Sequence, residues 1–338
     1  MAPGIGTPRV AVDAMGGDRA PREIVAGAVA AAKTGGPVFV VGDELVLRPL
    51  VPLRSSVVIV HAAGRVAMDA SPRTVRGIKD ASVRVCARMV ADGRVDGMVS
   101  CGNTGATLMA AVLEIGVLDD VQRPALATVL PRSDGGRLIL LDAGANVDCR
   151  PELLASFALL GAAHAELLGI DSPRVGLLSI GEEDGKGNSQ VRAALPALRA
   201  LPLNVVGNVE PSAAMSGACD VLVCDGFVGN VLVKAAEGAV STVGGILRAE
   251  IHRYWSGRVG AFLLRGALAR FRARVSWDAL GGAQLLGTPG VVIVGHGRSS
   301  AEAVTAAIES ARHTCRADLP AAVRRYVAAA RAAEGPSP

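Results

Sequence analysis

Six short glycine-rich segments hold most of the residues that could do chemistry. In chain order they are Met15-Gly16-Gly17-Asp18, Cys101-Gly102-Asn103-Thr104-Gly105 and Ala143-Gly144-Ala145-Asn146-Val147-Asp148. The other three are Gly181-Glu182-Glu183-Asp184-Gly185-Lys186-Gly187-Asn188, Asp225-Gly226-Phe227-Val228-Gly229-Asn230 and Gly295-His296-Gly297-Arg298-Ser299-Ser300. Glycine lets backbone N–H groups approach a ligand, and a helix that follows adds partial positive charge, so such turns suit a phosphate or an oxyanion. A strand-to-helix turn also needs Gly, and a capping Asn or Thr, for its own geometry. Six such turns, several carrying Asn, Asp or Lys, set the functional reading level with that plainer one.

Lys186 is the cation of these turns whose ammonium could neutralise phosphate or polarise a carbonyl; the alternative is a pair with one of the acids beside it. The segment is not a P-loop, because Ile180 stands where its first glycine belongs and Gly187 where Ser or Thr belongs. No Gly-x-Gly-x-x-Gly follows the first apolar run, which weakens a dinucleotide reading. Of the five histidines, His296 alone lies in one of the glycine turns, where it could orient an anion or move a proton, or serve only as a turn residue. His61, His164, His252 and His313 read as surface or packing residues. A Gly-x-Ser-x-Gly elbow is missing, and no Cys sits in a thiol-catalysis signature. Without a protein nucleophile, the chemistry these residues suit is direct attack of one bound substrate on another.

The elements that must position these turns repeat one pattern. An apolar run (Val10–Ala14, Val95–Ser100, Arg137–Asp142, Val175–Ile180, Val221–Cys224, Val291–Val294) leads into each turn. An amphipathic stretch follows, such as Pro21–Lys33 or the helix opened by Pro151 and Glu152. Short apolar runs alternating with helices predict an α/β fold: a mostly parallel sheet in three α/β/α layers, with ligands at the carboxyl ends of the strands. All six turns are therefore expected along one edge of that sheet. The spacing has no fixed period, so this is βα succession and not a solenoid. Residues 9–330 read as one large catalytic unit, with 1–8 and 331–338 as tails.

Composition narrows the field further. Of 338 residues, 50% are hydrophobic and 20% charged, which excludes a disordered chain. Aromatics at 3% leave little for base stacking, and a net charge of +4 is too mild to argue for nucleic acid as partner. Six scattered cysteines with no Cys-x-x-Cys pair argue against a structural zinc site and a disulfide scaffold, and for a reducing, cytoplasmic setting. No basic and apolar leader opens the chain, and no uninterrupted apolar run is long enough for a spanning helix.

Residues 256–278 differ in kind. Leu264, Leu268, Phe271 and Val275 recur at helical spacing, flanked by Arg258, Arg265, Arg270, Arg272 and Arg274, with no acid between 256 and 275. A basic amphipathic helix of this type suits an anionic membrane surface, with Leu264, Leu268 and Phe271 entering the lipid boundary. Packing on the core or on a second subunit is the alternative.

Taken in order, the motifs resemble the phosphate acyltransferase family of bacterial phospholipid synthesis (PlsX, acyl-acyl-carrier-protein:phosphate acyltransferase). The stretches that carry the resemblance include VAVDAMGGDRAP (10–21), GNTGA (102–106), RPALA (123–127), LLDAGANVDCRPE (140–152) and VGLLSIGEEDGKGN (175–188). They continue with GNVE (207–210), DVLVCDGFVGNVLVK (220–234), GGAQLLG (281–287) and VVIVGHGRSS (291–300). Leu280, where the family often has Tyr, and Cys101, where Ala is common, depart from the pattern.

The resemblance implies that inorganic phosphate attacks the thioester of a fatty acyl carrier protein, giving an acyl phosphate for phosphatidic acid synthesis. It implies a fold similar to phosphate acetyltransferases and isopropylmalate-type dehydrogenases, and a homodimer; no cofactor and no metal site is expected from the residues. It also implies loose membrane association beside the downstream membrane acyltransferase. Catalytic roles are expected for Lys186, Asn230, His296 and Asp225. Phosphate or substrate contacts are expected from Gly16, Gly17, Asp18, Asn103, Thr104, Asn146 and Asn188. A short-chain acyl-CoA phosphotransacylase on a similar fold, or a non-catalytic anion- and membrane-binding module, are the competing readings.

Overall fold

The computed structural model describes residues 6–275 and 281–334. Its strands are β1 (Val10–Asp13), β2 (Val38–Gly42), β3 (Val57–His61), β4 (Gly97–Ser100), β5 (Ala125–Pro131) and β6 (Arg137–Leu141). They continue with β7 (Arg174–Leu178), β8 (Asn204–Val209), β9 (Val221–Val223), β10 (Ala283–Leu286) and β11 (Val291–Val294). The helices are α1 (Arg22–Gly35), α2 (Glu44–Leu47), α3 (Ser82–Ala91), α4 (Thr104–Glu114), α5 (Pro151–Leu167) and α6 (Ser189–Arg199). After them come α7 (Pro211–Met215), α8 (Gly226–Arg253), α9 (Trp255–Leu263), α10 (Arg265–Val275), α11 (Ala301–Ala317) and α12 (Leu319–Glu334).

The strands form one eleven-stranded, mostly parallel sheet in the order β3-β2-β1-β4-β11-β10-β5-β6-β9-β7-β8. Helices cover both faces, because runs such as Val10–Asp13 and Val291–Val294 are buried at every position and leave neither face for water. On one face of the first half, α1 and α11 bury Ile24, Ala28, Val304 and Ile308 against Val12, Val99 and Ile293. On the other, α3 and α4 bury Met89 and Ala110 against Ala11, Met98 and Val292. The second half packs α5, α6 and α12 around Phe157, Leu160, Leu195 and Val323.

Strand direction departs from the expectation that all six turns share one edge. β10 runs antiparallel to both β11 and β5, and β5 runs antiparallel to β6. The parallel group β6, β9, β7 and β8 therefore runs opposite to β3, β2, β1, β4 and β11. The halves are also staggered, since β5 pairs with β10 through Ala125–Ala127 and with β6 through Thr128–Pro131. In consequence the carboxyl ends of β11 and β6 meet beside the middle of β5. The turns face one another across a central crevice.

Two boundaries differ from the sequence reading. α12 continues to Glu334, so residues 331–334 of the expected tail are helical. Within 256–278 there are two helices, not one: α9 ends at Leu263, Leu264 is its cap, and α10 starts at Arg265, while 276–278 lie outside the described residues. The α8 helix is 28 residues long and buried only near its start, at Gly226 and Gly229. From Val240 onward it stands away from the body of the protein, carrying α9 and α10 with it.

Candidate active site

Each half of the sheet ends in a buried carboxylate that shapes the turn after it. In the first half, Asp13 accepts the hydroxyls of Ser82 (2.6 Å) and Ser100 (2.8 Å) and the N–H of Met15. Burial pushes the Asp13 carboxyl above its ordinary range, and those hydrogen bonds pull against the rise. Gly16 lies so close to Gly102 that a Cβ there would come 2.9 Å from the Gly102 Cα. The Asp18 N–H donates to the Gly297 carbonyl (2.8 Å) and the Gly295 N–H to that of Ser100 (2.8 Å), tying the turns after β1, β4 and β11 together.

In the second half, Asp142 accepts five bonds. Oδ1 takes the N–H groups of Leu126 (3.0 Å), Gly144 (3.1 Å) and Ala145 (2.9 Å), while Oδ2 takes the Asn146 N–H (2.6 Å) and its Nδ2 (2.8 Å). Burial raises this carboxyl too, against the same kind of opposition from its donors. Gly226 donates its N–H to the Asn146 carbonyl (2.7 Å), which seats the start of α8 on this turn. Gly226 has to be glycine, since a Cβ would come within 2.6 Å of that carbonyl oxygen.

Between the two halves lies a crevice of about 380 Å³. Thr104 and Gly105 at the amino end of α4, Gly144, His296, and the α8 residues Asn230, Lys234 and Glu237 line its polar part. Leu126, Val233, Val294, Ala303 and Ala307 make an apolar part beside it. Asn103 caps α4 by accepting the Ala106 N–H, which leaves the N–H groups of Thr104 and Gly105 without an acceptor among the described residues. An unfilled first turn of an eleven-residue helix favours an anion. Lys234 forms no ion pair among the described residues.

The residues expected from sequence are distributed unevenly around this crevice. Thr104, Asn230 and His296 line it. Gly16 and Asn103 line a small adjoining cavity with Asp13, and Gly17 and Asp18 pack on the Gly297 turn. The polar side chains of four others are engaged in holding backbone. Asn103 donates to the Met68 and Ala70 carbonyls, and Asn146 to Pro124 and Asp142. Asn188 caps α6, and Asp225 caps α8 by accepting the Val228 N–H. Lys186 is exposed on the loop after β7, its stem against Gly181, and is not among the crevice-lining residues.

Sequence reasoning overlooked Lys234 and Glu237, although Asn230, Val233, Lys234 and Glu237 follow one helical face at spacings of three, one and three. It also passed over Asp13 and Asp142, each the last polar residue of an apolar run just before a glycine turn.

The thiols are poor nucleophiles. Burial pushes Cys101 and Cys149 up to about 11 and Cys219 and Cys315 to about 12, and lifts Cys86 and Cys224 well above the usual thiol range. Among the described residues no three His, Cys, Asp or Glu side chains converge to hold a metal ion, and no helix is long and apolar enough to cross a membrane.

Known proteins resemble this chain over nearly its whole length. The family model described as "Fatty acid synthesis protein" matches residues 8–322. A phosphate acyltransferase of Thermus thermophilus is 46% identical over 323 residues, covering 95% of this chain and 99% of that protein. One from Brevibacillus brevis is 44% identical over 317 residues, covering 92% and 95%. Among solved structures, a phosphotransacetylase from Streptococcus pyogenes superposes with a TM-score of 0.64 at 19% identity, covering 92% of this chain and 95% of its own. A 4-hydroxythreonine-4-phosphate dehydrogenase from Klebsiella pneumoniae shares the fold at a TM-score of 0.53 and 15% identity, covering 91% and 99%.

Proposed function

We propose, from the premise that this chain belongs to the fatty acid synthesis protein family of phosphate acyltransferases, that its acyl donor is a fatty acyl carrier protein thioester. The acceptor is inorganic phosphate, and the product is an acyl phosphate destined for phosphatidic acid. The observation that carries the reading is the crevice itself: an unfilled α4 amino terminus and a Lys234 without an ion pair among the described residues line one cavity, with apolar side chains alongside and no activated thiol.

In this reading phosphate rests on the N–H groups of Thr104 and Gly105, with Lys234 offsetting its charge. Asn230 donates its amide to the oxyanion that develops on the thioester carbonyl. His296 moves the proton. Asp225, Asn146, Asn103 and Asn188 act by holding the turns that carry these groups, and Gly16, Gly17 and Asp18 by fixing the turn on which His296 sits. Lys186 is proposed as a second cation for phosphate, reaching over the crevice from the loop after β7. Attack by phosphate is direct, so no acyl group is ever carried by the protein.

The projecting helices fit the remaining parts of the proposal. Val243, Ile246 and Leu247 on α8 are exposed and suit a second copy of this chain, giving a homodimer. On α9 and α10, Phe262, Leu263, Leu264 and Phe271 are exposed among arginines, and Arg265 lies over the Phe262 ring at 4.9 Å. This end suits an anionic bilayer, beside the membrane acyltransferase that consumes the product. Leu268 is half-buried, so it contributes less than its neighbours.

The test mixes purified protein, palmitoyl-acyl carrier protein and phosphate, and traps acyl phosphate with hydroxylamine. Phosphate-dependent hydroxamate, with carrier-protein thioester preferred over short-chain acyl-CoA, is the expected result. Preference for acetyl- or butyryl-CoA would favour the short-chain alternative, and absence of any phosphate-dependent thioester loss would leave a binding module.

A further inference from the structure

Glu237 is the last crevice-facing residue on α8, three residues beyond Lys234. Its Oε2 lies 4.0 Å from Nε2 of His296. The imidazole hangs from the turn after β11, in the first half of the sheet, and the carboxylate from the helix that begins in the second half. Among the ion pairs of the described residues, this is the one that spans the crevice. Both side chains are partly exposed, so the pair adds little to stability, and a structural purpose for it is weak.

We propose that Glu237 is a positioning residue: its carboxylate orients the His296 imidazole and stabilises the imidazolium that forms as His296 carries a proton from the attacking phosphate to the departing sulfur. This rests on the acyl transfer reading above and adds to it the device that drives the proton. The step balances as follows. An oxygen of hydrogen phosphate dianion bonds to the thioester carbonyl carbon, and its proton passes to His296. The C–S bond then breaks, its electron pair stays on sulfur, and the imidazolium gives the proton to that thiolate. Hydrogen phosphate and thioester become acyl phosphate dianion and free thiol.

Lys234 lines the same crevice and Arg298 follows His296 by two residues, so neither neighbour supplies the negative charge that a positive ring calls for. Asp18 lies beside Gly297 and forms no ion pair with His296. Among the described residues Glu237 is the carboxylate at ion-pair distance from the ring. At 4.0 Å the contact is too long for a hydrogen bond, and rotation of two partly exposed side chains closes it when substrate fills the crevice. The arrangement is that of a base oriented by a third group.

The experiment compares wild type, Glu237→Gln, His296→Ala and the double variant on two donors of the same fatty acid. One is the carrier-protein thioester and the other an S-phenyl thioester, whose aryl thiolate leaves without needing a proton. Thermal melting first confirms that each variant folds. The expected result is a fall in kcat of roughly tenfold to a hundredfold for Glu237→Gln on the carrier-protein donor, with KM for phosphate little changed. On the S-phenyl donor the deficit shrinks to a few-fold, and the double variant is no slower than His296→Ala alone.

Equal losses on both donors, a double variant slower by the product of the single effects, or a Glu237→Gln enzyme as fast as wild type would each overturn the proposal. If wild type itself makes no acyl phosphate from either donor, the underlying reading fails and this one with it. That outcome is separate from the other three, all of which leave wild type active.

Discussion

Replacing Asp142 by Asn is the sharpest probe of how the second half of the sheet builds its side of the crevice. The carboxylate accepts three N–H groups at Oδ1 and two at Oδ2, and all five donors belong to the backbone or side chains of β5 and the Ala143–Asn146 turn. An amide oxygen can replace only one carboxylate oxygen. If it serves the three donors, the amide NH2 is thrust against the Asn146 N–H and Nδ2, which stand at 2.6 and 2.8 Å from Oδ2. Two donors lose their acceptor and face another donor. Each unsatisfied buried group costs about 1–3 kcal/mol, and relief of the buried charge returns part of that, so the net loss is on the order of 3 kcal/mol. The same shift moves the Asn146 carbonyl that seats Gly226, and with it the α8 residues Asn230 and Lys234. Urea unfolding of Asp142→Asn should therefore show a lowered midpoint at unchanged slope, and steady-state assays a kcat reduced at least tenfold. A variant with wild-type stability and turnover would refute the view that this carboxylate organises the turn.

Other outcomes follow from the same geometry. Lys234→Ala is expected to cost on the order of a hundredfold in kcat, as removal of a donor aimed at developing charge does; near-wild-type kcat would take Lys234 out of the site. Lys186→Ala should lose a comparable factor if the loop after β7 closes over bound phosphate, and unaltered phosphate kinetics would make Lys186 a surface residue. Leu264→Glu with Phe271→Glu should abolish salt-sensitive co-sedimentation with anionic vesicles while soluble activity persists, whereas joint loss of activity and dimer would assign those residues to the subunit interface. Burial alone would raise Asp220, but hydrogen bonds from Arg174 and Arg132 hold it at about 2. Its folded value thus lies below its unfolded one, and its contribution, on the order of 2 kcal/mol, is present above pH 4 and lost as pH falls toward 2. The stability gap between wild type and Asp220→Asn in urea should narrow across that window.

Much of the architecture was legible because buried parallel strands leave an unambiguous trace. Runs such as Val10–Asp13 and Val291–Val294 have no polar alternation, and each leads into a glycine turn and a helix. What was not legible is strand direction. β5 is a run of seven residues, Ala125–Pro131, joined by residues 132–136 to β6, and β10, Ala283–Leu286, leads through residues 287–290 to β11. Neither is followed by a helix of its own, so βα succession passes over both, yet these antiparallel strands turn one half of the sheet against the other. The expectation of a shared edge also shapes the choice of candidate residues. Turns imagined along one edge invite every Asn and Asp in them into the site. The short side chains of Asn103, Asn146 and Asp225 are used up locally: Asn103 and Asp225, each capping a helix, accept a backbone N–H three residues on, and the Asn146 amide donates to the Pro124 carbonyl and the Asp142 carboxylate. Lys234 and Glu237, which line the crevice, come from further along α8, where a helix face rather than a turn carries them. A motif search stops at the turn, whereas helical periodicity read onward from Asn230 leads to both.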